Sequence, residues 1–172
     1  MPNTFELIAS STVGSGGATA FDFTSIPSTY TDLCLKFSAR VTDSGAVFAY
    51  LTFNNSGGTA YSYRNLYGIS SATYSDSNSG FAYVPVGYTV NSSQTASTFS
   101  NGEVYVPNYA GSTNKSFSND GVAESNSATG VVNGFTAGLW ANTAAINRIT
   151  LTAQAGSFVQ YSTAYLYGVK NA

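Results

Sequence analysis

The stretch TDLCLKFSARV (Thr31–Val41) alternates apolar and polar side chains almost without a break. Successive side chains of a β-strand point to opposite faces. Leu33, Leu35, Phe37, Ala39 and Val41 therefore share one face, and Asp32, Lys36, Ser38 and Arg40 lie mainly on the other. A helix needs apolar residues at i, i+3 and i+4 instead, and no segment sustains that pattern. LWANTAAINRI (Leu139–Ile149) comes nearest and predicts at most a short helical turn between strands. After Val41, the turn residues TDSG (Thr42–Gly45) and the return AVFAYLTF (Ala46–Phe53) predict a β-hairpin.

The same grammar repeats along the chain. Further strands are expected at Thr4–Ala9, Thr19–Thr24, Ala60–Tyr67, Ala82–Val90, Glu103–Val106, Ser116–Asn119, Val131–Trp140, Arg148–Ala153 and Phe158–Val169. GSGG, NNSGG, SDSNSG and NYAGSTN punctuate them as turns. Many short strands with Gly/Ser/Asn turns predict an all-β fold. We expect a single-domain antiparallel β-sandwich over residues 1–172, arranged as a jelly-roll, with a barrel as the alternative.

Only 8% of the residues are charged, against about 25% in an ordinary soluble domain. Aromatics reach 15%, too many for a disordered chain. The six basic residues, Lys36, Arg40, Arg64, Lys115, Arg148 and Lys170, are scattered singly. They form no stripe for a phosphate backbone, so no nucleic-acid partner is expected. The longest apolar run, Ala46–Leu51, is too short to span a bilayer, so no membrane insertion is expected. The start MPNTFELIAS has no basic n-region followed by a long apolar stretch, and no secretory signal is read from it. Sparse charge also leaves strand edges without the usual lysine protection, which favours coverage by loops or by other subunits.

The chain has no histidine and one cysteine. Ser-His triads and the commonest zinc ligand are thereby removed. Cys34, between Leu33 and Leu35, reads as a small apolar strand residue. SNDGVAE (Ser118–Glu124) and SDSNSG (Ser75–Gly80) resemble calcium loops faintly, but they supply too few carboxylates and read as turns. Glu103, Asp120 and Glu124 are the acids nearest one another in sequence that a glycosidase would need across a cleft. Nothing raises them above background. No catalytic residue, metal site or cofactor is expected. Asn54, Asn91 and Asn114 match the glycosylation pattern through composition alone.

Two octamers share spacing: YSYRNLYG (Tyr61–Gly68) and YSTAYLYG (Tyr161–Gly168). Their flanks do not align, so they are not units of a repeat. Alternation sets Tyr61, Tyr63 and Tyr67 against Leu66 and Gly68, and Tyr161, Tyr165 and Tyr167 against Ala164, Leu166 and Gly168. A tyrosine ladder offers apolar area with a hydrogen-bonding tip. It suits a protein interface or a stacked sugar, and equally a sandwich core. Trp140, the one tryptophan, reads as a core anchor or a sugar platform.

The C-terminal GLWANTAAINRITLTAQAGSFVQYSTAYLYGVKNA, with FTSIPSTYTDLCLKFSAR (Phe23–Arg40) and YSYRNLYG, resembles small all-β virion surface proteins of tailed bacteriophages, especially marine ones. These serve as capsid decoration or appendage proteins, or as terminal modules of tail fibres. The resemblance implies a non-enzymatic structural protein on the virion surface, assembled in the bacterial host cytoplasm. The implied partners are the major capsid protein or other virion proteins, together with a homo-oligomer, a trimer being favoured. A tail-fibre or receptor-binding role would add a host glycan as partner. A stand-alone carbohydrate-binding protein is the further alternative. The chain contains no coiled-coil heptads and no collagen-like stalk, which favours decoration over a fibre.

Overall fold

A computed structural model describes residues 4–45, 47–127 and 132–170. Among these residues the regular structure is all β. The strands are β1 (Phe5–Thr12), β2 (Ala20–Phe23), β3 (Asp32–Ala39), β4 (Val47–Phe53), β5 (Tyr61–Ile69), β6 (Ala72–Phe81), β7 (Val84–Thr89), β8 (Ser100–Val106), β9 (Lys115–Ala123), β10 (Val132–Trp140), β11 (Ile149–Ala153) and β12 (Thr163–Val169). Of the expected segments, Ala46 and Val131 lie outside the described residues. The turn expected within Leu139–Ile149 is extended loop after Trp140.

Two antiparallel sheets face each other. The larger has eight strands in the order β1-β12-β3-β8-β9-β10-β5-β6, and the smaller four in the order β2-β11-β4-β7. This is a β-sandwich. The finer jelly-roll arrangement, eight strands in two Greek keys, does not follow from twelve strands divided eight and four.

The core forms where alternating faces meet. Leu33, Leu35 and Phe37 of β3, Val104 and Val106 of β8 and Phe117 of β9 pack with Phe21, Phe23, Ala49, Leu51, Phe53, Ile149 and Leu151 of the smaller sheet. β9 shows the rule at its cleanest: Lys115, Phe117, Asn119, Gly121 and Ala123 are buried while the residues between them are exposed. Its two polar members are both satisfied. Asn119 Oδ1 accepts from Gly87 N at 2.9 Å, and its Nδ2 donates to Glu103 O at 2.8 Å. Gly87 sits at φ +60°, and a Cβ there would stand 2.9 Å from the Phe37 ring. Lys115 Nζ donates to the carbonyls of Gly111, Thr113 and Thr143 at 2.7, 2.5 and 3.4 Å. Burial pushes this ammonium below the ordinary lysine value, whereas three carbonyl acceptors favour its charged form.

Three expectations are corrected. The β3–β4 hairpin does not form: β3 pairs with β12 and β8, while β4 pairs with β11 and β7. The TDSG segment arches from one sheet to the other, because β3 and β4 bury their apolar faces against each other instead of side by side. SDSNSG is not a turn but the middle of β6, paired with β5 from Ala72 to Phe81. SNDGVAE likewise runs through β9, with Asp120 opposite Glu103 and Phe135.

The smaller sheet ends at β7, while β5 and β6 extend the larger one beyond it. β7 is buried nearly throughout. Its Val84 and Val86 face the core, and Tyr88 meets Tyr67 of β5 at 5.7 Å between ring centres. The overhang leaves a space beside β7.

Candidate functional site

The two octamers share an alternation but face opposite ways. In β5 the tyrosines point inward: Tyr61 is 1% and Tyr63 8% exposed, while Leu66 is 52% exposed. In β12 the leucine and small residues point inward: Ala164 and Leu166 are fully buried, and Tyr165 is 37% exposed. Tyr161 stands outside the strand in a left-handed turn at φ 72°, with its ring largely in solvent.

Of the alternatives left open for Tyr61 and Trp140, burial selects the core and excludes an exposed interface or sugar platform. Both are sealed in the core, their rings stacked at 6.4 Å and joined by Phe53 at 5.7 Å from Trp140. Neither can meet a partner or a sugar. The Tyr61 hydroxyl accepts from Phe53 N at 2.7 Å, and burial pushes it up to about 12. Tyr67, half-buried, stacks on Tyr74 at 5.5 Å. Tyr167, also half-buried, meets Phe5 edge-on at 6.4 Å.

The outer face of the larger sheet carries two apolar patches. At the β1–β12 end, Phe5, Leu7 and Tyr165 are 49%, 52% and 37% exposed. Leu7 lies directly opposite Tyr167. At the other end Phe135 of β10 is 63% exposed and pairs with Leu66 of β5. Val122 adds to the same side. Between the patches runs a charged strip. Lys36 Nζ meets Glu103 at 2.8 Å, and Asp120 is the neighbour of Glu103 across β8–β9. These two carboxylates thus adjoin on an open sheet rather than opposing each other across a cleft. Beyond Phe135 the face hollows into a concavity of about 550 Å³, walled by Ser62, Arg64, Ser77, Ser79, Ala137 and Leu139.

The second feature is the groove beside β7, about 140 Å³ in volume. Tyr63 and Asn65 of β5 and Asp76 and Phe81 of β6 form one wall. Phe48 and Tyr50 of β4, Tyr83, Pro85 and Gln154 form the other. Tyr50 and Tyr83 stack at 3.9 Å, and burial together with the Tyr83 hydroxyl raises the Tyr50 hydroxyl above its ordinary value. Tyr63 packs edge-on against Phe81 at 5.8 Å. Its hydroxyl accepts from Asn78 Nδ2 at 2.9 Å. Asn65 is 8% exposed, and its Oδ1 is buried without a hydrogen-bond partner.

Of the expected aromatics, the fold thus brings Tyr63 to the groove and Tyr165 and Tyr167 to the outer face. It also supplies residues that the sequence did not single out: Phe135, Phe5 and Leu7 outside, and Asn65, Asp76, Tyr50 and Tyr83 in the groove. Phe135 and Leu139 had a signal, since both fall on the Asn133 parity of β10, opposite Val132 and Trp140. The groove had only Tyr63, because its two walls belong to opposite sheets and the sequence does not reveal that β5 and β6 overhang β4 and β7.

Elsewhere the chemistry is structural. Cys34 is fully buried, and burial pushes its thiol up to about 12. Asp32 accepts from the Tyr105 hydroxyl at 2.5 Å and from Asn108 N at 2.9 Å. Among the described residues no group of three His, Cys, Asp or Glu side chains is placed to hold a metal ion, and no helix is long and apolar enough to cross a membrane. Compared with known protein families, curated proteins and solved structures, the chain matches none.

Proposed function

We propose that this chain is a non-enzymatic structural protein of a tailed-bacteriophage virion that decorates the assembled capsid. It docks through the outer face of its eight-stranded sheet onto the major capsid protein or another virion protein, and assembles with copies of itself, as a trimer. The observation that carries the reading is the pair of exposed apolar patches, Phe5–Leu7–Tyr165 and Leu66–Val122–Phe135, on one face. Eight strands at about 4.8 Å spacing, with about seven residues at about 3.3 Å rise, give a face on the order of 800 Å². That is about what one partner contributes to a standard interface. Apolar patches around a charged strip also match the division of an interface into apolar contacts and orienting polar ones. The sequence resemblance supplies the class of partner, and many copies on one shell would multiply a modest affinity.

The test is co-sedimentation of purified protein with phage heads assembled without it. The expected result is saturable binding that the double substitution Leu66→Ser, Phe135→Ser reduces at least about tenfold, a loss of about 1.4 kcal/mol, with the far-UV spectrum unchanged. A purified chain that is monomeric and binds no heads overturns the proposal. So does immunogold labelling confined to tail tips.

A further inference from the structure

We propose that the groove beside β7 is a carbohydrate site that takes one neutral hexopyranose ring. It lies across the sheet from the docking face, so the inference does not rest on the decoration reading.

Three observations converge on it. The walls are aromatic: Phe48, Tyr50, Tyr63, Phe81 and Tyr83 all line the groove. Aromatic rings provide apolar area with polar tips, which matches a pyranose, whose C–H face is apolar and whose rim carries hydroxyls. The size is that of a single ring. About 140 Å³ is under half of the roughly 300 Å³ at which pockets for drug-sized ligands begin.

The third observation points most directly to a ligand. Asn65, a residue of the groove wall, is more than nine-tenths buried, and its Oδ1 is sealed there without a partner. Leaving a buried polar atom unsatisfied costs about 1–3 kcal/mol. A sugar hydroxyl that meets the amide as the Asn65 side chain turns toward the groove removes that cost, and because a hydroxyl both donates and accepts it satisfies either orientation of the amide. Asp76 on the same wall accepts from further hydroxyls. No lysine or arginine lines the groove, so an anionic sugar would meet the Asp76 carboxylate uncompensated.

The test is an NMR titration of the full-length protein with methyl β-galactopyranoside, methyl β-glucopyranoside and methyl α-mannopyranoside, with sodium glucuronate as the anionic probe. We expect at least one neutral glycoside to shift amides of β4–β7 saturably in the millimolar range, about −4 kcal/mol, and glucuronate to shift none. Asn65→Leu should weaken that binding at least about tenfold while leaving the thermal midpoint unchanged or higher. Tyr83→Ala, at the rim, should weaken it too, and Phe135→Ser on the opposite face should not. The inference is overturned if no glycoside gives a saturable shift or if the shifts map to another surface. It also fails if glucuronate binds as well as the neutral rings or if Asn65→Leu binds like the parent. A lower midpoint for Asn65→Leu would mean that the amide oxygen is already satisfied, which removes the premise. Loss of head binding with sugar binding retained, or the reverse, separates this inference from the decoration reading.

Discussion

Replacing Lys115 by Met tests how a chain with so few charges uses one in its interior. Lys115 is 1% exposed, and its Nζ ties the Asn108–Asn114 loop to the loop after β10 through Gly111, Thr113 and Thr143. Methionine keeps the length and apolar stem of the side chain but removes the ammonium. Two of the three bonds, at 2.7 and 2.5 Å, are short, and hydrogen bonds to a charged group contribute about 1.5–3 kcal/mol each. The third, at 3.4 Å, adds little. Against this stands the desolvation of the ammonium, which methionine does not suffer. The acceptors lie in surface loops, where water can replace part of what is lost. We therefore expect a destabilisation of about 2–4 kcal/mol, or a fall in melting temperature of roughly 5–15 °C for a domain of this size. Urea melts followed by circular dichroism give the difference, and amide exchange should rise first around Gly111 and Thr143. The acceptors are neutral and the donor buried, so the loss should be nearly the same in low and high salt. A variant as stable as the parent, or a loss that vanishes in salt, would refute the assignment of Lys115 as the pin between these loops.

Other outcomes follow from the core. Tyr61→Phe leaves Phe53 N–H buried without its 2.7 Å acceptor and should cost about 1–3 kcal/mol in a urea melt. Tyr61 holds its proton up to about 12 in the fold, and an unfolded tyrosine releases it near 10. Its contribution is therefore full below about pH 10 and is lost as pH rises toward about 12, at up to about 1.4 kcal/mol per unit. Melts stepped across that window should show the fall, and a flat profile would contradict it. Cys34, fully buried with its thiol pushed up to about 12, should ignore a thiol reagent until urea unfolds the chain; fast labelling of the native protein would count against its placement. In Gly138→Ala the new Cβ would stand 2.2 Å from the Phe117 ring, an overpacking expected to cost about 1–3 kcal/mol.

The groove and the outer face differ in how far the sequence reveals them. Phe135 and Leu66 each stand at a readable parity within one strand, so the outer patch is half visible as two apolar residues on the polar side. Asn65 and Asp76 are cross-strand partners only because β6 pairs with β5. β6 itself was hidden, since Ser, Asp, Asn and Gly carry low strand propensity and its residues are exposed with almost no alternation. Its strand state comes from hydrogen bonds to β5 rather than from its side chains.

The sequence by itself determined that the chain is built of strands and which residues of β3 face the core, because a period of two is a local property of the backbone. It also determined that tyrosines alternate with Leu-x-Gly in both octamers. Only the tertiary structure decided which side of each octamer is inside: β5 turns its tyrosines toward the core and β12 turns them away. It decided, too, that β3 and β4 face each other across the sandwich instead of pairing as a hairpin. The reason is the same in both cases. Alternation makes two faces unlike each other, but a turn that reverses the chain serves a neighbour in the sheet and a partner in the opposite sheet equally well, and only the packing of distant strands selects between them.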